Sequence, residues 1–227
     1  MSAPLRLVVF DVDGTLVDSQ NDIVAAMAHA FERAEEPAPS RSQVLSIVGL
    51  SLENAMQRLA PALPSKKHNA MVEWYKEAYM YLRAKTGAAQ SSPLYPGALD
   101  ALTSIHNVPN TLLGLATGKS RRGLDKLLDG HDLHHFFVTK QVSDHHPSKP
   151  NPAMLQAALS ETGVDAAQAV MIGDTSFDME MARSAGVAAI GVTWGYHSVE
   201  ALCAANIIVD DFKELPNALD QLWESQT

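Results

Sequence analysis

The stretch Leu7-Val8-Val9-Phe10-Asp11-Val12-Asp13-Gly14-Thr15 decides how this chain reads. Its first four residues are apolar and partly β-branched, the composition of a strand buried on both faces. Two carboxylates, Asp11 and Asp13, then stand one residue apart at the strand's carboxyl end, followed by Gly14, which can turn the chain sharply. In open α/β sheets that edge is where ligands bind. Paired acids there either hold a divalent cation or divide nucleophile and acid/base roles between them. The same letters also fit a solvated acidic turn, since Asp and Gly are favoured in turns. The rest of the chain has to arbitrate.

Three later segments match in kind and order. The run Leu112-Leu113-Gly114-Leu115-Ala116 ends in Thr117-Gly118-Lys119. Lys149 stands in Pro147-Ser148-Lys149-Pro150, just before a helix-compatible stretch. Ala169-Val170-Met171-Ile172 then runs into Gly173-Asp174-Thr175-Ser176-Phe177-Asp178. Taken together, the four segments resemble the motifs of the haloacid dehalogenase superfamily: D-x-D-G-T after the first strand, Thr or Ser after the second, a Lys, then G-D-x-x-x-D. One motif alone is weak, but four in order, three of them following apolar strand-like runs, are specific.

The pattern around the motifs suits a Rossmann-like, doubly wound α/β fold. After Pro93-Leu94-Tyr95-Pro96-Gly97, helical and strand-like segments alternate, with strands read at 111–116, 136–142, 169–172, 188–192 and 207–209. Single helices between strands imply right-handed crossovers and a parallel sheet covered on both faces. From Asn21 to Thr86 the periodicity is helical throughout, with Ser40 and Ser51 placed to cap short helices and Ser65 opening a long amphipathic one. The domains expected are a core of 1–17 and 93–227 and a helical unit of 18–92, hinged near Val17–Gln20 and Thr86–Tyr95. By resemblance the helical unit is the α-helical cap of many haloacid dehalogenase-like phosphatases. The likeness covers essentially the whole chain, through motifs in the core and through helix pattern alone in the cap.

Gross composition narrows the function classes. Among 227 residues, 26 acids outnumber 17 bases, for a formal charge of −9. Proteins that grip nucleic-acid backbones carry the opposite balance, so no nucleic acid is expected as a partner. The same excess repels anionic metabolites at long range, so an anion site must rest on local cations and a metal. No apolar run approaches the roughly 20 residues needed to span a bilayer, so no membrane partner is expected. Met1-Ser2-Ala3-Pro4 leads directly into the first strand, which leaves no room for a secretory leader. The single cysteine, Cys203, excludes an intramolecular disulfide and fits a reducing cytoplasm, the compartment expected here. It reads as a small buried apolar residue in an Ala-rich helix at 199–204. Monomer and homodimer are both left open.

The resemblance implies a phosphatase that hydrolyses a small phosphorylated metabolite through an aspartyl-phosphate. Asp11 is then the nucleophile and Asp13 the general acid and base. Strict strand alternation would send their side chains to opposite faces, so Gly14 must redirect Asp13. Gly14, Thr117, Gly118 and Lys149 form the phosphate-binding set, with Lys149 neutralising both the phosphate and Asp11. Hard oxygen ligands beside a phosphate point to Mg²⁺. Its implied ligands are Asp11, the backbone carbonyl of Asp13, and Asp174. Asp178 is either a partner that orients the site from behind or simply an acid at its helix amino terminus.

Other features take plainer readings. Lys119 and Arg121 read as solvated. His131, His134, His135, His145 and His146 lack a recognisable zinc spacing and read as loop histidines. Trp74, Tyr75, Tyr79 and Leu82 read as packing on the long cap helix. Val48-Gly49-Leu50-Ser51 resembles the cap loop that dips into the site in phosphoglycolate phosphatase-like members. Asp13 argues against dehalogenases and phosphonatase-like members, which do without that acid. A β-phosphoglucomutase-like phosphomutase shares all four motifs and is the alternative within catalysis. A non-catalytic binding protein is the alternative outside it, against which the intact set of acids and Lys149 argues. Phosphoglycolate, pyrophosphate, a sugar phosphate and a nucleotide all remain open as substrates.

Overall fold

The computed structural model describes residues 4–224. Its centre is a sheet of six parallel strands: β1 (Arg6–Phe10), β2 (Thr111–Thr117), β3 (Phe137–Val142), β4 (Ala169–Gly173), β5 (Ala188–Val192) and β6 (Ile207–Val209). The strand order is β3-β2-β1-β4-β5-β6. Order therefore reverses between β1 and β4, and the crevice at their carboxyl ends is the binding edge of such sheets. Asp11 and Asp174 lie on the segments leaving these two strands.

Alternation explains why β1 is apolar at every position after Arg6. Val8 and Phe10 enter one core and Leu7 and Val9 the other. The helices are α1 (Gln20–Arg33), α2 (Arg41–Leu45), α3 (Leu52–Leu59), α4 (Ser65–Thr86), α5 (Ala88–Ser91), α6 (Ala98–His106), α7 (Arg121–His131), α8 (Ala153–Thr162), α9 (Ser176–Ala185) and α10 (Leu215–Glu224). α6, α7 and α10 cover the first face through Leu102, Leu128 and Leu219. α8 and α9 cover the second through Leu155 and Met179. This is the doubly wound α/β sheet that the motif spacing implied. Among the described residues no helix is long and apolar enough to cross a membrane.

Helices α1 to α5 all fall between β1 and β2. The first four build a separate apolar cluster around Met27, Phe31, Met56 and Met71, to which the sheet layers add Phe177 of α9. Ser40 caps α2 through a capping box with Gln43, and Ser51 accepts from Asn54 N–H to cap α3. The two connections into this helical layer run side by side. Asp18 N–H donates to Pro93 O (2.9 Å) and Tyr95 N–H to Leu16 O (3.0 Å). The second connection contains α5, a four-residue helix starting after Gly87 at φ +87°, where the sequence suggested only turn.

One local reading is corrected. The stretch expected as a helix over 199–204 is a 3₁₀ turn, Val199–Leu202, and Cys203 is exposed. The tight turn buries Leu202 and leaves the next side chain facing outward.

Candidate active site

β1 ends at Phe10, and residues 12–17 fold into a tight turn in which Leu16 and Val17 N–H both donate to Val12 O, at 2.9 and 3.1 Å. Asp13 is therefore not on the strand, and strand alternation no longer separates it from Asp11. Both acids line one cavity. Gly14 has φ +87°, and a Cβ there would collide with the carboxylate of Asp174. Glycine is required for backbone freedom and for space alike.

Asp11 is 1 % exposed, and its Oδ1 lies 2.8 Å from the Lys149 ammonium. Neither of its carboxylate oxygens accepts a hydrogen bond among the described residues. Burial pushes its pKa up to about 7, the Lys149 charge pulls it down, and nearby Asp178 adds to the rise. Lys149 Nζ also donates to Asp178 Oδ1 at 2.7 Å. Burial alone would lower the Lys149 pKa, but the two carboxylates reverse this and hold it protonated.

Asp174 leaves the end of β4. Its Oδ1 accepts from Thr15 Oγ1 (2.8 Å) and its Oδ2 from Tyr196 N–H (2.8 Å). Burial, then the charges of Asp11 and Asp178, push its pKa up. Asp178 divides its two oxygens: Oδ2 accepts from Thr175 N–H and Thr175 Oγ1 and closes a capping box on α9, while Oδ1 meets Lys149. Asp178 thus caps α9 with one oxygen and meets Lys149 with the other. Ligand oxygens of Asp11, Asp174 and Asp178 lie within 4.8 Å of one another, the sole such His, Cys or acid set among the described residues. The buried Asp11 carboxylate, whose Oδ2 has no partner among the described residues, suits a hard divalent cation within this all-oxygen donor set. His131, His134, His135, His145 and His146 join no set of this kind, and His131, read as a loop residue, instead closes α7 and meets Ser92 O at 2.8 Å.

Asp13 faces elsewhere. Its Oδ1 accepts a short hydrogen bond from Ser19 Oγ and lies 2.8 Å from Lys119 Nζ. Lys119 is therefore not solvated, contrary to its reading from sequence. Its side chain is 10 % exposed and touches Tyr79 Oη at 3.5 Å as well. Burial would lower the Lys119 pKa, and Asp13 more than reverses this. Arg121, the other cation read as solvated, donates to Lys140 O at 2.6 Å and is part-buried. Ser19 N–H donates to Tyr196 Oη (3.0 Å), so Tyr196 reaches Asp13 through Ser19 and Asp174 through its own N–H. Lys119 and Ser19 had no sequence signal beyond proximity to a motif, and Tyr196, well past Asp178, had none.

Thr117 ends β2 and is buried. At Gly118 a Cβ would lie 2.6 Å from Leu50 O and 2.7 Å from Gly49 O. The loop from α2 to α3 therefore rests directly on this turn, and Ser51 N–H donates to Ser148 Oγ (2.8 Å) beside Lys149. Gly118→Ala should push the loop off the sheet edge. The expected result is a stable protein, with a Tm within a few degrees of wild type, whose linker residues near Leu94 are cut faster by a protease. An unchanged digestion rate would show that this contact does not hold the loop down.

A cavity of about 230 Å³ opens above the acids. Asp11, Asp13, Thr117, Gly118 and Lys119 form its floor, and residues of α1, α3, α4 and the loop after α2 its walls. Lys149, Asp174 and Asp178 stand behind Asp11.

The family model described as haloacid dehalogenase-like hydrolase matches residues 8–192. The probable phosphatase IndB of Dickeya dadantii is 37 % identical over 221 residues, covering 95 % of this chain and 94 % of that one. A phosphoglycolate phosphatase of Vibrio parahaemolyticus is 30 % identical over 93 % of this chain and 94 % of its own length. A solved β-phosphoglucomutase from Clostridium difficile superposes with a TM-score of 0.83 at 18 % identity, covering 97 % of this chain and 98 % of that one. That last likeness is one of fold alone.

Proposed function

Since the chain belongs to the haloacid dehalogenase-like hydrolase family, we propose that it is a Mg²⁺-dependent phosphatase acting on a small phosphorylated metabolite. The observation that carries this is the Asp11 carboxylate, buried and without hydrogen bonds beside Lys149 and within reach of Asp13's cavity. The curated relatives named as phosphatases support the same reaction class.

Asp11 attacks phosphorus through Oδ2, since Oδ1 lies against Lys149. The P–O bond to the leaving group breaks as the aspartyl-phosphate forms, and Asp13 gives its proton to the departing oxygen. Asp13 then takes a proton from the water that attacks the phosphoenzyme, which releases phosphate and restores both acids. Lys119 and Ser19 hold Asp13 at its post. Thr117 and the Gly118 N–H bind phosphoryl oxygens, and Lys149 offsets charge on Asp11 and on the phosphate. Mg²⁺, when bound by Asp11, Asp174 and the Asp13 carbonyl, neutralises the repulsion between carboxylate and phosphate. Asp178 fixes Lys149 from behind. The helices of 18–92 act as a cap that closes over the substrate.

Two measurements test this reading. Phosphate release from a panel of monoesters should require Mg²⁺ and stop with EDTA. Isomerisation without free phosphate would replace the hydrolase by a mutase.

The second measurement uses the acids' pKa values. Burial pushes Asp11 up to about 7 and Asp174 upward, so in EDTA-treated protein their ionisation opposes folding as pH rises from about 4 through 7. Mg²⁺ binds the ionised pair and offsets that cost, by about 2.7 kcal/mol at 100 times its Kd. The Mg²⁺-induced rise in Tm should therefore be larger at pH 8 than at pH 5.5, and Asp174→Ala should remove most of it. Equal rises at both pH values would place the cation elsewhere.

A further inference from the structure

Resting on the phosphatase reading, we propose that the alcohol released is bulky and predominantly apolar. The walls of the cavity above Asp11 and Asp13 supply the argument. Ile23 and Met27 of α1, Ile47 and Leu50 before α3, and Tyr79 and Met80 of α4 face the space a leaving group must enter. A leaving group that extends from Thr117 and Gly118 along these side chains meets hydrocarbon. About 230 Å³ of space holds more than a two-carbon acid.

Three of the cations around that space have partners, and Arg122 lines it as well. Lys119 is held 2.8 Å from Asp13. Arg83 donates to Gly123 O at 3.3 Å and stacks over the Tyr79 ring. Lys76 pairs with Glu73 at 2.9 Å. Glu73 and Glu77 line the same cavity, Glu73 in that pair and Glu77 held 2.7 Å from Arg33. A carboxylate carried against the apolar wall would lose its water without gaining a partner there. A buried alkyl or aryl group instead gains with each carbon removed from water.

The experiment compares kcat/KM with Mg²⁺ for phosphoglycolate and for methyl, propyl, butyl and benzyl phosphates. The alkyl esters have similar leaving-group basicity, so their trend reports binding in the cavity. The expected result is a rise of about fourfold per methylene until the cavity fills, the factor for moving one CH₂ out of water, with phosphoglycolate below butyl phosphate. A flat series, or phosphoglycolate preferred, overturns the inference and leaves the phosphatase reading standing. Turnover of none of them removes the phosphatase reading and the inference with it. Met80→Lys places a cation on the apolar wall, on the face of a long helix that tolerates lysine. It should raise the phosphoglycolate-to-butyl phosphate ratio about tenfold, in line with a hydrogen bond to a charged group. A ratio that does not move overturns the inference as well.

Discussion

Replacing Asp11 by Asn should lower kcat by roughly 10⁴-fold or more, the scale of loss when a covalent nucleophile is removed, while the protein stays folded. The first half follows from the role proposed for Oδ2. The amide is nearly isosteric with the carboxylate but cannot form the acyl-phosphate. The second half follows from the surroundings. Lys149 keeps Asp178 at 2.7 Å after the change, so no buried charge is stranded. The substitution also removes one of three acids whose oxygens crowd within 4.8 Å. A neutral amide at this position escapes the burial cost that pushes the Asp11 pKa up to about 7. Tm should therefore hold or rise slightly at pH 8. Acid-quenched single-turnover reactions with a labelled monoester should trap phosphoprotein in the wild type and none in the variant. Turnover within tenfold of wild type would sink the nucleophile assignment.

Three of the four motifs were legible because each lies where a buried strand ends. Apolar runs at 7–10, 112–116 and 169–172 are readable as strands without any structure, and ligand-binding chemistry collects at their carboxyl ends. Lys149 had no such strand before it and was found only through the order of the set. What the sequence could not give is where a side chain turns once the backbone leaves the strand. Lys119 follows a strand end and reads as a solvated base, yet the turn at 12–17 brings Asp13 within 2.8 Å of it. Asp178 posed a choice between helix cap and site partner, but a carboxylate has two oxygens and each takes one task. The cavity wall is harder still. Periodicity marks Met27 as apolar and inward-facing, which is true of a residue packed among its neighbour helices and equally true of one lining a cavity. Met27 does both. Cys203 failed for the opposite reason: a run of alanines suggests helix, and the need to return to the sheet in a few residues imposed a tighter turn.

Lys149→Met tests whether the buried cation holds the acids together or merely fills space. Methionine approximates the aliphatic stem, so loss of packing should be small. What it removes is the charge 2.8 Å from Asp11 and 2.7 Å from Asp178. Breaking a buried ion pair by deleting one partner costs about 3–5 kcal/mol, because the other charge is left uncompensated. Here three carboxylates remain, so the cost depends on their ionisation. Without Lys149 the charge that lowers the Asp11 pKa is gone, and the folded-state value climbs further above the unfolded one. A raised carboxylate pKa favours folding below the unfolded value, near 4, and this advantage is lost as pH rises through the folded value. The stability gap between wild type and variant should therefore be small at pH 5 and approach its full size at pH 8. Saturating Mg²⁺ should narrow it by returning positive charge to the cluster. Urea denaturation at the two pH values, with and without the cation, reads all of this directly. A gap of equal size at pH 5 and pH 8 would mean that Lys149 contributes through shape rather than charge, and its role in neutralising Asp11 would have to be abandoned.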